Sequence, residues 1–262
     1  MVSHVWLVLL ASFTLFLQIA STPSRSTHAS AACTEDGEPS KSSNLKPIRF
    51  ILAGDSTTAP PPTADHKTCG GGWGDAFLSH LLPATDSLGL NRGVCGSDSS
   101  QYREEHWADV LEIIKDDEDD FNRTFVTIAF GHNDQKHKVD ADVMLKNLIH
   151  FVDSVRLAGA QPVLVTPLSR TSIFPDGHVG RNLRWARNIT QTAGNLTHAT
   201  VLDLTTASRH AYEAAGYKTT LTYRRSAGDS THLSSVGAEA IGKVMCTLFR
   251  DAFSDYAEYF SC

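Results

Sequence analysis

Short apolar runs alternate with stretches of helical period along most of the chain. Residues 48–53 (IRFILA), 125–130 (FVTIAF), 162–166 (PVLVT) and 200–204 (TVLDL) are near-continuous apolar runs of strand length, and a weaker one lies at 87–94. Between them apolar residues recur at helical spacing over 73–82, 107–114, 143–157, 183–196, 207–215 and 236–253. Strands that alternate with helices of this length predict an α/β fold with a parallel sheet covered on both faces. Strands lacking polar alternation suit burial on both sides. In such sheets ligands bind beyond the carboxyl ends of the strands, so the loops that follow the apolar runs are where chemistry is expected.

The first residues depart from this pattern. Residues 5–17 form one apolar run, about as long as the core of a secretory signal, with His4 as the single early group able to carry charge. Cleavage near Ala20 or after the Ala29-Ser30-Ala31 triplet fits. A membrane anchor is the competing reading, but the run is short for a span of roughly 20 residues. A Ser/Thr/Pro/Lys-rich stretch without period follows, over 21–46. The expected organisation is a signal peptide and leader over 1–31, a flexible segment over 32–46 and one folded domain over 47–262.

Secretion would make two other features meaningful. Asn122, Asn188 and Asn195 head Asn-x-Ser/Thr triplets and are candidate glycan acceptors. The five cysteines are Cys33, Cys69, Cys95, Cys246 and Cys262. An oxidising compartment favours their pairing, and an odd count leaves at least one over. Cys246 with Cys262 would pin the C-terminal tail to the last helix. Cys69 with Cys95 would join two loops near the expected site. No spacing among them matches a zinc site.

Composition narrows the function class. The 262 residues suit one sizeable α/β domain, and the formal net charge of −6 argues against a nucleic-acid binder, which normally shows a basic patch or stripe. A soluble monomer that binds neither nucleic acid nor membrane is the default expectation. The acidic run at 116–120 (DDEDD) reads as a solvated turn.

The loops after the strands carry chemistry-bearing residues. Gly54-Asp55-Ser56-Thr57 follows the first strand directly, which sets Ser56 at the mouth of the sheet. An ordinary strand-to-helix turn would look the same, because Ser and Asp are common caps. Serine becomes a useful nucleophile only when a base takes its proton. Asp229-Ser230-Thr231-His232 lies in a polar loop just before the last helix. At that spacing the Asp229 carboxylate can reach the Nδ1–H of His232 and leave Nε2 free for the serine hydroxyl. Acyl transfer also needs donors for the developing oxyanion. Gly131-His132-Asn133-Asp134 follows the strand at 125–130 and offers the Asn133 amide. Asn91-Arg92-Gly93-Val94-Cys95-Gly96 follows the weak strand and offers the Gly96 N–H, with the Ser56 N–H as the third donor. Each segment alone reads as a turn; their conjunction is the argument.

This set resembles the SGNH (GDSL-like) hydrolase superfamily, and within it the rhamnogalacturonan acetylesterase family. The segments that carry the resemblance are AGDSTTA (53–59), GGGWGDAF (70–77), NRGVCGSDSSQY (91–102), FGHNDQ (130–135) and GDSTHLSSVGAEAIG (228–242). The resemblance implies a three-layer α/β/α sandwich with about five parallel strands. It implies Ser56 as nucleophile, His232 as general base and then acid, Asp229 as its orienter, and Gly96 and Asn133 completing the oxyanion hole. It implies no metal or organic cofactor. The expected activity is removal of acetyl groups from an acetylated plant cell-wall polysaccharide, pectic rhamnogalacturonan, by a secreted enzyme.

The chain departs from the family's pattern at Pro60-Pro61-Pro62 and the following Asp65, His66 and Cys69, at Cys95, and at the basic stretch 136–138. These bear on substrate choice rather than on the chemistry. Two alternatives follow: a small-acyl or lipid esterase of the same superfamily, or a secreted carbohydrate-binding or host-interaction protein without turnover. Trp73, after the glycine run, is a candidate sugar-stacking residue, although packing at the start of the first helix is the favoured explanation.

Overall fold

The computed structural model describes residues 45–61, 70–116 and 120–262. The expected leader, the cysteines Cys33 and Cys69, and Asp65 and His66 lie outside the described residues. In chain order the strands are β1 (Ile48–Gly54), β2 (Leu88–Gly93), β3 (Arg123–Ala129), β4 (Gln161–Val165) and β5 (Thr200–Leu202). The helices are α1 (Gly74–Leu78), α2 (Ser99–Glu105), α3 (Trp107–Lys115), α4 (His132–His137), α5 (Ala141–Leu157), α6 (Arg184–Thr197), α7 (Leu204–Thr222) and α8 (Ser235–Ala252).

All five strands pair in parallel, in the order β2-β1-β3-β4-β5. Successive residues of a strand point to opposite faces, and β1 shows the result. Phe50 and Leu52 enter one core with Phe77 of α1, Tyr212 of α7 and Phe249 of α8. Ile51 and Ala53 enter the other, with Trp107 of α3, Phe151 of α5 and Ala193 of α6. Helices thus cover both faces, giving the three-layer α/β/α sandwich. The first core is strongly aromatic: Phe50 stacks on Phe125 at 5.2 Å and takes Phe249 edge-on at 5.0 Å.

The elements differ from the sequence reading mainly at their ends. The helix expected over 73–82 closes after Leu78, because His80 and Leu81 turn back in three-residue steps and Leu81 bridges antiparallel to Phe260. The tail that supplies Phe260 is held by a disulfide between Cys246 of α8 and Cys262. The helix expected over 207–215 is longer, because the Asp203 side chain accepts the Thr206 N–H at its start, and Gly216, at φ 78°, kinks it. The helices α2 and α4 are too short to show an apolar period and were not expected.

Candidate active site

The carboxyl end of β1 delivers Ser56 through a tight turn. Gly54 has no room for a side chain: a Cβ there would stand 2.4 Å from Thr58 Oγ1 and 2.8 Å from the Ala129 carbonyl. Asp55 then organises the turn. Its carbonyl accepts from the N–H of Thr58 and of Ala59, and its Oδ1 accepts from the Thr57 N–H at 2.8 Å and the Thr57 hydroxyl at 2.7 Å. The Thr57 carbonyl accepts from the Trp73 N–H at 2.9 Å. Ser56 is held on a clamped backbone, its side chain largely shielded, with 7% of the residue exposed.

The second half of the site lies between α7 and α8. Arg224 and Leu233 bridge antiparallel, the Arg225 N–H donates to the His232 carbonyl, and the Leu233 N–H donates to the Gly71 carbonyl at 2.7 Å. Inside this loop Asp229 Oδ1 accepts from the Thr231 N–H at 3.0 Å and the His232 N–H at 2.9 Å. Its Oδ2 lies 2.9 Å from His232 Nδ1, and His232 Nε2 lies 2.9 Å from Ser56 Oγ. A carboxylate only accepts, so Nδ1 carries the ring hydrogen and Nε2 is left to accept from the serine hydroxyl. Partial burial raises the proton affinity of Asp229, but the backbone and ring hydrogen bonds from His232 outweigh it and bring the carboxyl down to about 2. Arg225 spans the same corner, 2.8 Å from Asp229 Oδ2 and donating to the Gly70 carbonyl at 3.0 Å. Arg170, in the loop after β4, donates to the Thr231 hydroxyl.

The loop after β2 and the start of α4 face the same mouth. Gly96 adopts φ 79°, a left-handed conformation that favours glycine. The Asn133 side chain donates to the Ser97 carbonyl at 3.2 Å, which orients its amide and leaves a second N–H. The N–H groups of Ser56 and Gly96 meet no acceptor among the described residues. Three candidate donors therefore follow the carboxyl ends of the neighbouring strands β1, β2 and β3.

Buried polar contacts lace these two segments together. Asp134 Oδ1 accepts from the Ser99 N–H at 3.1 Å and the Ser99 hydroxyl at 2.5 Å, and Asn147 of α5 donates to the hydroxyls of Ser99 and Ser100. His137 Nδ1 lies 2.8 Å from Asp98 Oδ2. Burial pushes the Asp134 carboxyl up to about 6, against the hydrogen bonds from Ser99. His132, at the start of α4, is buried with Nε2 2.8 Å from the Leu168 carbonyl. Burial, aided by the Arg170 charge, lowers it to about 3 and keeps it neutral. None of Asp134, Asn147, His132, Arg170 or Arg225 was singled out from the sequence for a role here, since each acts through a partner remote in the chain.

One candidate is corrected. Trp73 is fully buried and packs on Phe77 at 6.0 Å, so no sugar can stack on it. The bland alternative, packing at the start of the first helix, is what the structure shows. Cys95 is held in a disulfide, while Cys69, the partner expected for it, lies outside the described residues. Asn122, Asn188 and Asn195 are all exposed.

The sequence model of the GDSL-like lipase/acylhydrolase family matches residues 52–240. Over 216 residues the chain is 27% identical to rhamnogalacturonan acetylesterase RhgT of Bacillus subtilis (strain 168), covering 76% of this chain and 88% of that one. Among solved structures, protein YxiM of Bacillus subtilis superposes with a TM-score of 0.67 at 20% identity, over 79% of this chain and 57% of that one. Axe2, an acetylxylan esterase from Geobacillus stearothermophilus, superposes with a TM-score of 0.55 at 18% identity, over 76% of this chain and 93% of that one. These two likenesses are likenesses of fold.

Proposed function

The chain belongs to the GDSL-like lipase/acylhydrolase family and is a carboxylic ester hydrolase, and from that premise we propose that it is a secreted serine esterase that removes acetyl groups from plant cell-wall polysaccharide, with pectic rhamnogalacturonan as the substrate. The observation that carries this reading is the unbroken line of hydrogen bonds from Asp229 through His232 to Ser56 at the carboxyl edge of the sheet. The relative at 27% identity, a rhamnogalacturonan acetylesterase, supports the substrate.

The geometry supports an acyl-enzyme mechanism. Ser56 Oγ attacks the acetyl carbonyl carbon while its proton passes to His232 Nε2. Asp229 stabilises the imidazolium and holds the ring. The oxyanion faces the N–H groups of Ser56 and Gly96 and the Asn133 amide. When the carbon–oxygen bond to the sugar breaks, the leaving oxygen takes the proton from His232. Water then attacks the acetyl-enzyme by the same route in reverse and releases acetate.

Secretion is supported by the apolar run at 5–17, by the Cys246–Cys262 disulfide, which suits an oxidising compartment, and by the exposure of all three sequon asparagines. A second reading, an esterase for longer acyl groups, draws on a cavity of about 290 Å³ beside the catalytic loop, lined by Gly71, Gly72, Ala76 and Leu233 among others. One experiment separates the two. Acetate release is measured on acetylated rhamnogalacturonan, acetylated xylan and a series of synthetic esters of rising acyl length, with Ser56→Ala as control. Release from the pectic substrate that is lost in the variant is the expected result. A preference for long acyl chains with no acetate from any glycan would replace the reading with the second one.

A further inference from the structure

The loop that joins β4 to α6 bounds a cavity of about 300 Å³, within the range of small-ligand sites. Four arginines line it, Arg181, Arg184, Arg187 and Arg209, and no carboxylate does. Two of the four are compensated from behind. Arg187 forks onto Asp203, with Nε–Oδ1 at 2.9 Å and Nη2–Oδ2 at 2.5 Å, and Arg209 Nη1 lies 3.2 Å from both carboxylate oxygens of Glu213. Arg181 and Arg184 are exposed and pair with no group among the described residues. The cavity therefore presents two uncompensated guanidinium groups in a chain whose formal charge is −6.

The backbone between them is built rather than slack. Leu183 is buried and sits at φ 59°, a conformation that disfavours a branched side chain and persists only where its surroundings hold it. The cavity is also tied to the catalytic loop. Asn182, on its wall, accepts the Arg170 N–H at 3.2 Å, and the Arg170 guanidinium donates to Thr231, the residue before His232. The cavity wall and the loop that carries His232 thus share one hydrogen-bonded frame. Guanidinium forks match planar carboxylates in two parallel hydrogen bonds.

We propose that this cavity is a carboxylate subsite, in which Arg181 and Arg184 bind a uronate residue of the polysaccharide while a neighbouring sugar presents its acetyl ester to Ser56. The proposal rests on the polysaccharide-esterase reading above, and it adds how an acidic protein selects an acidic glycan. The subsite sets which chain binds; it takes no part in bond making.

The test uses the full chain with Ser56→Ala, so that turnover does not interfere, and titrates it with unacetylated trigalacturonate by calorimetry. Binding is expected, weakening with added salt and falling about tenfold or more in the Arg181→Gln/Arg184→Gln variant, the scale of a lost charge-assisted pair. Lys218→Gln/Lys243→Gln, which removes two exposed lysines outside the cavity, serves as the charge-matched control and is expected to bind like the parent. Absence of trigalacturonate binding, equal binding by the double variant, or displacement by inorganic phosphate at equal concentration would each overturn the subsite. The catalytically competent protein keeps the two ideas apart. Acetate release from acetylated rhamnogalacturonan with the same kcat/KM in the double variant sinks the subsite and leaves the esterase reading intact. Arginine-dependent trigalacturonate binding with no acetate released from any glycan supports the subsite and sinks that reading.

Discussion

Ser56 Oγ and His232 Nε2 stand 2.9 Å apart although 176 residues separate them in the chain. The serine comes from the turn that ends β1, the histidine from the loop before α8, and the Gly71–Leu233 hydrogen bond holds the two together. Ser56→Ala should therefore lower kcat for acetyl ester hydrolysis by roughly 10⁵- to 10⁶-fold, the scale seen when a nucleophile leaves a cooperating set. The melting temperature should stay nearly unchanged, since the loss is one hydroxyl at the surface of the site. Acetate release and a thermal scan on the same preparation check both, and residual activity within tenfold of the parent would remove Ser56 from its role.

Asp229 is expected to orient His232 rather than to move protons. Its carboxyl sits near 2 in the fold, below the ordinary value of 3.8, so the stabilisation it gives is full above that ordinary value and is lost as pH falls through about 2. Asp229→Asn places an amide donor opposite Nδ1 and favours the wrong ring tautomer. The expected result is a fall in kcat of about 10²- to 10⁴-fold with KM nearly constant. Steady-state kinetics at neutral pH decides it, and a variant that raises KM alone would show a binding role instead.

Much of this arrangement was legible before the fold was seen, and the reason is local. The turn after β1, the glycine after β2, the asparagine after β3 and the Asp-x-x-His loop each sit within a few residues of an apolar run or helix whose period is readable. The parallel order then carries their strand ends to one edge. What stayed hidden depends on partners far apart in sequence. Asp134 is fixed by Ser99, 35 residues away, and Arg170 by Thr231, 61 away. Trp73 looked like a sugar platform because its neighbours are glycines, yet those glycines let Thr57 and Asn91 approach so closely that the indole turns into the core.

Asp134 should make stability depend on pH. Burial raises its carboxyl from 3.8 to about 6, so the unfolded chain releases that proton first as pH rises. Folding is favoured by this group below about pH 4 and progressively less so up to about pH 6, a difference of up to about 3 kcal/mol. Asp134→Asn keeps an oxygen for the Ser99 donors and carries no charge. Its melting temperature should exceed the parent's at pH 7–8 and converge with it near pH 4. Equal melting curves at both pH values would mean that the buried carboxylate is compensated by groups other than Ser99.

The Cys246–Cys262 bond closes a loop of 16 residues and anchors Phe260 in the aromatic core. Removing a cross-link over a loop of that length costs about 3 kcal/mol on the chain-entropy account. Cys262→Ser should therefore lower the melting temperature by roughly 6–12 °C for a domain of this size, with kcat at 25 °C hardly altered because the bond lies away from Ser56. Differential scanning calorimetry of parent and variant side by side, without reductant so that the disulfide at Cys95 stays closed, measures the shift. A drop in activity at temperatures well below unfolding would instead connect the tail to the site through Leu81.

Asn133 is asked to do two things, and they separate by measurement. One amide hydrogen holds the Ser97 carbonyl at 3.2 Å; the other is left for the oxyanion. Losing an oxyanion donor lowers kcat by about 10²- to 10³-fold, and because the charge develops only in the transition state, KM should barely move. Losing the hold on Ser97 costs only about 1 kcal/mol of stability, and would also loosen Gly96, the neighbouring donor. Asn133→Ala removes both contacts. Its kcat on a synthetic acetyl ester and its unfolding midpoint in urea should both fall, the first far more than the second. If the midpoint falls while kcat holds, Asn133 braces the loop, and the oxyanion is met by the Ser56 and Gly96 amides alone.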